Sequence, residues 1–104
     1  MIRYLIEFLG TFFFLSIILF MVKFDYQWGP FAIGLGLTMA IFWGGRLSGG
    51  HYNPAVSIMF LFDKKLSIEQ FFGYVFCQLL GAILALCYFN YYKKNKELIQ
   101  KMLK

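Results

Sequence analysis

Glu7 lies inside the first apolar stretch of this sequence, and its one histidine, His51, lies two residues before Asn53-Pro54-Ala55. A carboxylate in apolar surroundings is costly unless it is satisfied, and such groups usually face the interior of a helix bundle. The alternative for Glu7 is an interfacial position about one helical turn inside the apolar layer. One imidazole without convergent carboxylates makes a metal-ligand set implausible. No nucleophile pairs with a base, so no enzymatic reaction, metal or cofactor is expected. What remains is the chemistry of an amide at a helix start. Asn53 is a strong N-cap and Pro54 a favoured first helical residue, and a helix begun there presents unpaired N–H groups and a positive dipole end.

The elements that must position these groups follow from the apolar runs. A first helix is expected over about 4–22, and a short polar connection follows it. A second runs over 29–43, with Pro30 in its first turn. Residues 44–52, Gly44-Gly45-Arg46-Leu47-Ser48-Gly49-Gly50-His51-Tyr52, hold four glycines and no helical periodicity. The helix that restarts at Pro54 reaches only to Phe62, roughly 13 Å, less than half the hydrocarbon thickness. A last helix is expected over 67–92, opened by Ser67 and Gln70 as a capping box, with Glu69 in its first turn. Residues 93–104 form a basic tail that can continue as a solvated helix end.

Composition says where these helices sit. Of 104 residues, 61% are hydrophobic and 14% charged, with fourteen Phe and seven Tyr. A soluble domain is nearer half apolar and a quarter charged, so the excess must face lipid or another chain. The first run is too long for the core of a signal peptide, carries Glu7 and lacks a small-residue cleavage site, so it reads as a retained transmembrane helix. The fold class is therefore all-α integral membrane, with three transmembrane helices and one half-helix. Non-helical backbone at membrane depth is tolerated only where protein buries it or water reaches it. The glycine-rich loop and half-helix thus read as re-entrant, the alternative being a surface loop with an interfacial helix. Ala32, Gly36, Ala40 and Gly44 on the second helix, and Gly73, Cys77, Gly81 and Ala85 on the last, recur every four residues and allow close helix packing. Cys77 and Cys87, ten residues apart on one helix, are too distant to bridge within it. The net charge of +5 is concentrated near the tail and fits anionic headgroups better than nucleic acid.

Ser48-Gly49-Gly50-His51-Tyr52-Asn53-Pro54-Ala55-Val56 resembles the first NPA loop of aquaporins and glycerol facilitators, the major intrinsic protein family. Glu7-Phe8-Leu9-Gly10-Thr11-Phe12, Gly34-Leu35-Gly36-Leu37-Thr38 and Gln78-Leu79-Leu80-Gly81-Ala82 resemble that family's first, second and third helices, so the similarity covers nearly the whole chain. The resemblance implies half of the aquaporin fold, residues 1–92 being one half-repeat. It also implies a channel for water or small neutral solutes. By that resemblance Asn53 donates to the passing solute, and Pro54 and Ala55 pack two half-helices together. The carbonyls of the loop at Gly49 and Gly50 line the pore, and Glu7, with Gln78, supports the loop. His51 is either a pore-lining residue or a structural hydrogen-bond partner of a neighbouring helix.

A complete family member has two inverted repeats, and this chain carries one. A second half is therefore expected as partner, either an inverted copy of the same chain or a different chain. The family's tetramers of pores would by analogy need about eight half-chains. Arg3, Arg46, Lys64 and Lys65 fall on one side of the membrane, and Lys23, Lys93, Lys94 and Lys96 near the helix ends on the other. That balance permits both orientations. The filter departs from the family's. Ile33 stands at the second-helix filter position, Gly50 at a loop position, and Val56 where the family's second loop carries an arginine. The constriction implied is apolar and wide. A non-conducting interaction protein on the same fold is the remaining alternative.

Overall fold

The computed structural model describes residues 1–104 and contains four helices: α1 (Ile2–Lys23), α2 (Gly29–Ser48), α3 (Pro54–Phe62) and α4 (Ile68–Leu103). α1, α2 and α4 are long and apolar enough to cross a membrane. α3, with nine residues, spans roughly 13 Å and is not.

The start signals are made in full. Ser67 Oγ accepts the Gln70 N–H while Gln70 Oε1 accepts the Ser67 N–H, both at 3.1 Å, which closes the capping box of α4. Pro30 sits in the first turn of α2. One helix end differs from expectation. α2 does not stop near Trp43 but runs through Gly44 and Gly45 to Ser48. It ends at Gly49, whose φ of 94° is left-handed and whose N–H bonds the Gly45 carbonyl at 2.8 Å. A glycine inside a helix costs about 1 kcal/mol, but a Cβ at Gly44 would collide with Ile6 and the Tyr52 hydroxyl. The contact that requires glycine there offsets its poor helix propensity. α4 runs on past Tyr92, the helical continuation that the basic tail allows. Residues 93–103 contain no Gly or Pro and several strong helix formers, so the basic tail continues the same helix to Leu103. Lys96 lies over the Phe24 ring at 5.0 Å from its centroid, which ties that extension to the α1–α2 connection.

α1 is the central helix, with α2 packed on one side and α4 on the other; α3 rests on α4, and α2 and α4 meet only where the Tyr74 hydroxyl reaches the Ser48 carbonyl. The small-residue ribbons form these contacts. Gly36 of α2 lies beneath Ile17, and Gly73 of α4 beneath Tyr4. A Cβ at Gly81 would stand 2.8 Å from the Phe8 carbonyl oxygen, so the two backbones approach too closely for a side chain. The outer faces are apolar and open, with Phe42 85% and Phe31 70% exposed, as lipid or a second chain requires.

Candidate functional site

The loop between α2 and α3 is built around one carboxylate. Glu7, on the second turn of α1, is fully buried and accepts four hydrogen bonds. Its Oε2 accepts from the Ser48 hydroxyl at 2.7 Å and the His51 N–H at 3.0 Å. Its Oε1 accepts from the Tyr52 N–H at 2.7 Å and from Gln78 Nε2 at 2.9 Å. Bonds to an ionised acceptor are the strong ones, and four of them satisfy both oxygens. Ser48 Oγ in turn accepts the Gly50 N–H at 3.1 Å. The N–H groups of Gly50, His51 and Tyr52 are therefore all engaged toward α1.

The carbonyls of the same residues are not. Those of Gly49, Gly50, His51 and Tyr52 accept no hydrogen bond within the chain. Orphan carbonyls need a polar neighbour. The backbone path that separates donors from acceptors passes through three left-handed residues, Gly49, Gly50 (φ 65°) and Tyr52 (φ 54°). Tyr52 is held in this unfavourable region by its side chain. Its hydroxyl donates to the Ala40 carbonyl at 2.7 Å, and its ring lies against Gly10, where a Cβ would overlap it.

Asn53 caps α3 through its Oδ1, which accepts the Ala55 N–H at 2.8 Å. The side-chain oxygen being spent on the cap, the group that Asn53 presents outward is its NH₂, a pure donor. Asn53, Pro54 and Ala55 are exposed. Beside them an open recess of about 390 Å³ is lined by Thr11, Phe14, Tyr52, Asn53, Pro54 and Gln78 among others. Two of its lining residues carry buried polar atoms without a partner, Thr11 Oγ1 and Gln78 Oε1.

His51 is buried, its ring stacked on Phe60 (centroids 4.9 Å, 20° between planes) and tilted against Tyr74 at the same distance. Its Nδ1 is 2.9 Å from Ser57 Oγ, which also accepts from Gln78 Nε2 at 3.0 Å. The ring thus makes a structural hydrogen bond and also borders a polar cavity of about 480 Å³. Gly50 is buried, whereas Ile33 and Val56 are half-buried and Gly49 is exposed.

Ser48, Tyr52, Ser57 and Tyr74 belong to this network and were not singled out from the sequence. Ser57 is the one polar side chain on α3, which was a signal that it needs a partner. Tyr74 precedes Gln78 by one turn on the same face of α4, and its hydroxyl donates to the Ser48 carbonyl at 2.5 Å.

Residues 1–103 match the profile of the Major intrinsic protein family. The chain is 38% identical over 86 residues to glycerol uptake facilitator protein-like 6 of Lactiplantibacillus plantarum, covering 80% of this chain and 40% of that protein. It is 48% identical over 52 residues to nodulin-26 of Glycine max, covering 50% and 19%. To the lens fiber major intrinsic protein of Rattus norvegicus it is 34% identical over 86 residues, covering 74% and 32%. The chain thus spans less than half the length of these curated relatives. No solved structure matches it significantly.

Proposed function

This chain belongs to the major intrinsic protein family and is an integral membrane protein, and we propose that it is half of a channel for water or small neutral solutes such as glycerol. The observation that carries this reading is the sorting of polar groups along residues 49–53. The N–H groups of Gly50, His51 and Tyr52 are tied to Glu7 and Ser48, while the four carbonyls of Gly49 to Tyr52 and the Asn53 NH₂ stay unpaired. A solute with hydroxyl groups can give hydrogens to the carbonyls and take hydrogens from Asn53, so it trades hydration for equivalent bonds at little net cost. An anion gains no replacement for its shell from the carbonyls, which offer only acceptors. The positive end of α3 opposes cations. A water held by Asn donors from two half-helices must offer them its oxygen, which interrupts a proton-conducting chain.

In this reading α3 with its loop is re-entrant, and residues 1–92 act as one half-repeat with 93–104 as its extension. The second half is an inverted copy of the same chain. The exposed Asn53-Pro54-Ala55 tip and the adjoining recess with its two unpaired buried polar atoms support a partner that covers them. The four-to-four balance of Lys and Arg near the helix ends supports insertion both ways round. Four such pores would make an octamer. The filter then combines Ile33, Gly50 and Val56 of both copies, apolar and without an arginine, which favours solutes as wide as glycerol and weakens proton exclusion.

The reading is tested by solute selectivity in liposomes containing the chain alone. Glycerol should pass as well as water, and a proton gradient should decay faster than in protein-free vesicles. Water passage with glycerol rejected would overturn the wide filter. No passage at all would direct the search to a different partner chain.

A further inference from the structure

Three cations from three different elements converge on the cavity that borders His51. Arg3 comes from the first turn of α1, Arg46 from the last turn of α2, and Lys65 from the α3–α4 connection. The cavity of about 480 Å³ is also lined by Ser48, Gly49 and Tyr74, and no carboxylate lines it. Glu7 lies close by in the chain's fold, but its oxygens are spent on four donors. Gly49 keeps the space open, since a Cβ there would press on His51 Nε2 at 3.2 Å.

We propose that this cavity binds a phosphate group, carried either by a free anion or by an anionic phospholipid headgroup. Two guanidinium groups offer paired N–H donors that match phosphate oxygens, and a lysine adds a third charge. Three like charges gathered around one space repel one another. An anion, whether a singly charged phosphodiester or a free phosphate, offsets that repulsion, whereas a neutral solute does not. The position suits both sources. Arg3 and Lys65 flank the ends of apolar helices, where a headgroup would lie if those helices span the bilayer, and the cavity is open enough to admit a soluble phosphate. Binding there requires only the folded chain, not a completed pore, and would put negative charge beside the loop that carries Asn53.

The test uses the full chain in a neutral maltoside detergent. In one arm inorganic phosphate is titrated by calorimetry at constant ionic strength. In the other, native mass spectrometry compares retention of phosphatidylglycerol with that of phosphatidylcholine. Saturable binding in at least one arm is expected, about tenfold weaker in Arg46→Gln and Arg3→Gln, and unchanged in the double variant Lys93→Gln, Lys94→Gln. Binding in the first arm identifies a free anion, and in the second alone a headgroup. If Arg3→Gln does not fold, Lys65→Gln in the exposed connection serves in its place. No saturable binding in either arm, equal binding by the arginine variants, or equal weakening by the tail variant overturns the proposal.

Discussion

Glu7 holds the backbone of the loop through hydrogen bonds to two of its N–H groups, and a third group, the Ser48 hydroxyl, relays it to another. Exchange for glutamine removes the charge and turns an NH₂ toward groups that are themselves donors. With charge-assisted bonds worth about 1.5–3 kcal/mol each, Glu7→Gln should destabilise the chain by about 2–4 kcal/mol. A lowered midpoint of unfolding in detergent checks this; an unchanged midpoint would mean that the loop holds its shape without the carboxylate. Gly10 offers a second test in which two effects have opposite sign. In an open helix, alanine for glycine would gain about 1 kcal/mol. Here the added Cβ overlaps the Tyr52 ring, and overpacking costs typically about 1–3 kcal/mol. Gly10→Ala should therefore destabilise, and a stabilised variant would show that Tyr52 is free to move.

At the scale of the element, α3 is where the proposed permeation can be tested apart from folding. Asn53→Ala removes the cap and should cost about 1 kcal/mol. Asn53→Asp keeps an oxygen for the Ala55 N–H and places a negative charge at a helix N-terminus, so the fold should keep its stability. The NH₂ donors are gone in both. Solute flux through Asn53→Asp should fall while its unfolding midpoint stays within error of the parent. Flux equal to the parent's would remove Asn53 from the conduction path. The start of α3 was legible from Asn53-Pro54, and that of α4 from Ser67 and Gln70, because caps are local. The end of α2 was not. Whether Gly44 and Gly45 break a helix depends on Ile6 and Tyr52 pressing on Gly44, a contact between residues far apart in sequence. The continuation of α4 past Tyr92 was left open in the sequence for a different reason. A charged tail with good helix formers reads equally well as coil until Lys96 is seen on Phe24. Glu7 was singled out by its cost in lipid, whereas Ser57 and Tyr74 show their part only once the loop is folded back against α4.

For the whole molecule, the open arrangement is the main fact. α1 separates the backbones of α2 and α4, which are bridged by the Tyr74–Ser48 hydrogen bond, and large side chains such as Phe42 and Phe31 stay exposed. The half-channel proposed above would need such a shape, with one face for lipid and one for a partner. If copies insert in both orientations, a protease-cleavable tag on the C-terminus should be cut in part from each side of the membrane. Arg46→Gln together with Lys65→Gln lowers the count on one side from four to two and should move the population toward a single orientation. Flux should fall with it, since inverted pairs become scarce. A tag cleaved from one side only, in the parent chain, would rule out the inverted homodimer.

The most direct measurement is the osmotic response of liposomes that contain this chain and no other protein, followed by light scattering after a step in external osmolyte. Shrinkage faster than in protein-free vesicles, and lost in Asn53→Trp with the chain still folded and inserted, is the predicted result. Permeability equal to that of protein-free vesicles, with the parent chain folded and present in both orientations, would contradict the claim that two copies of this half make a pore.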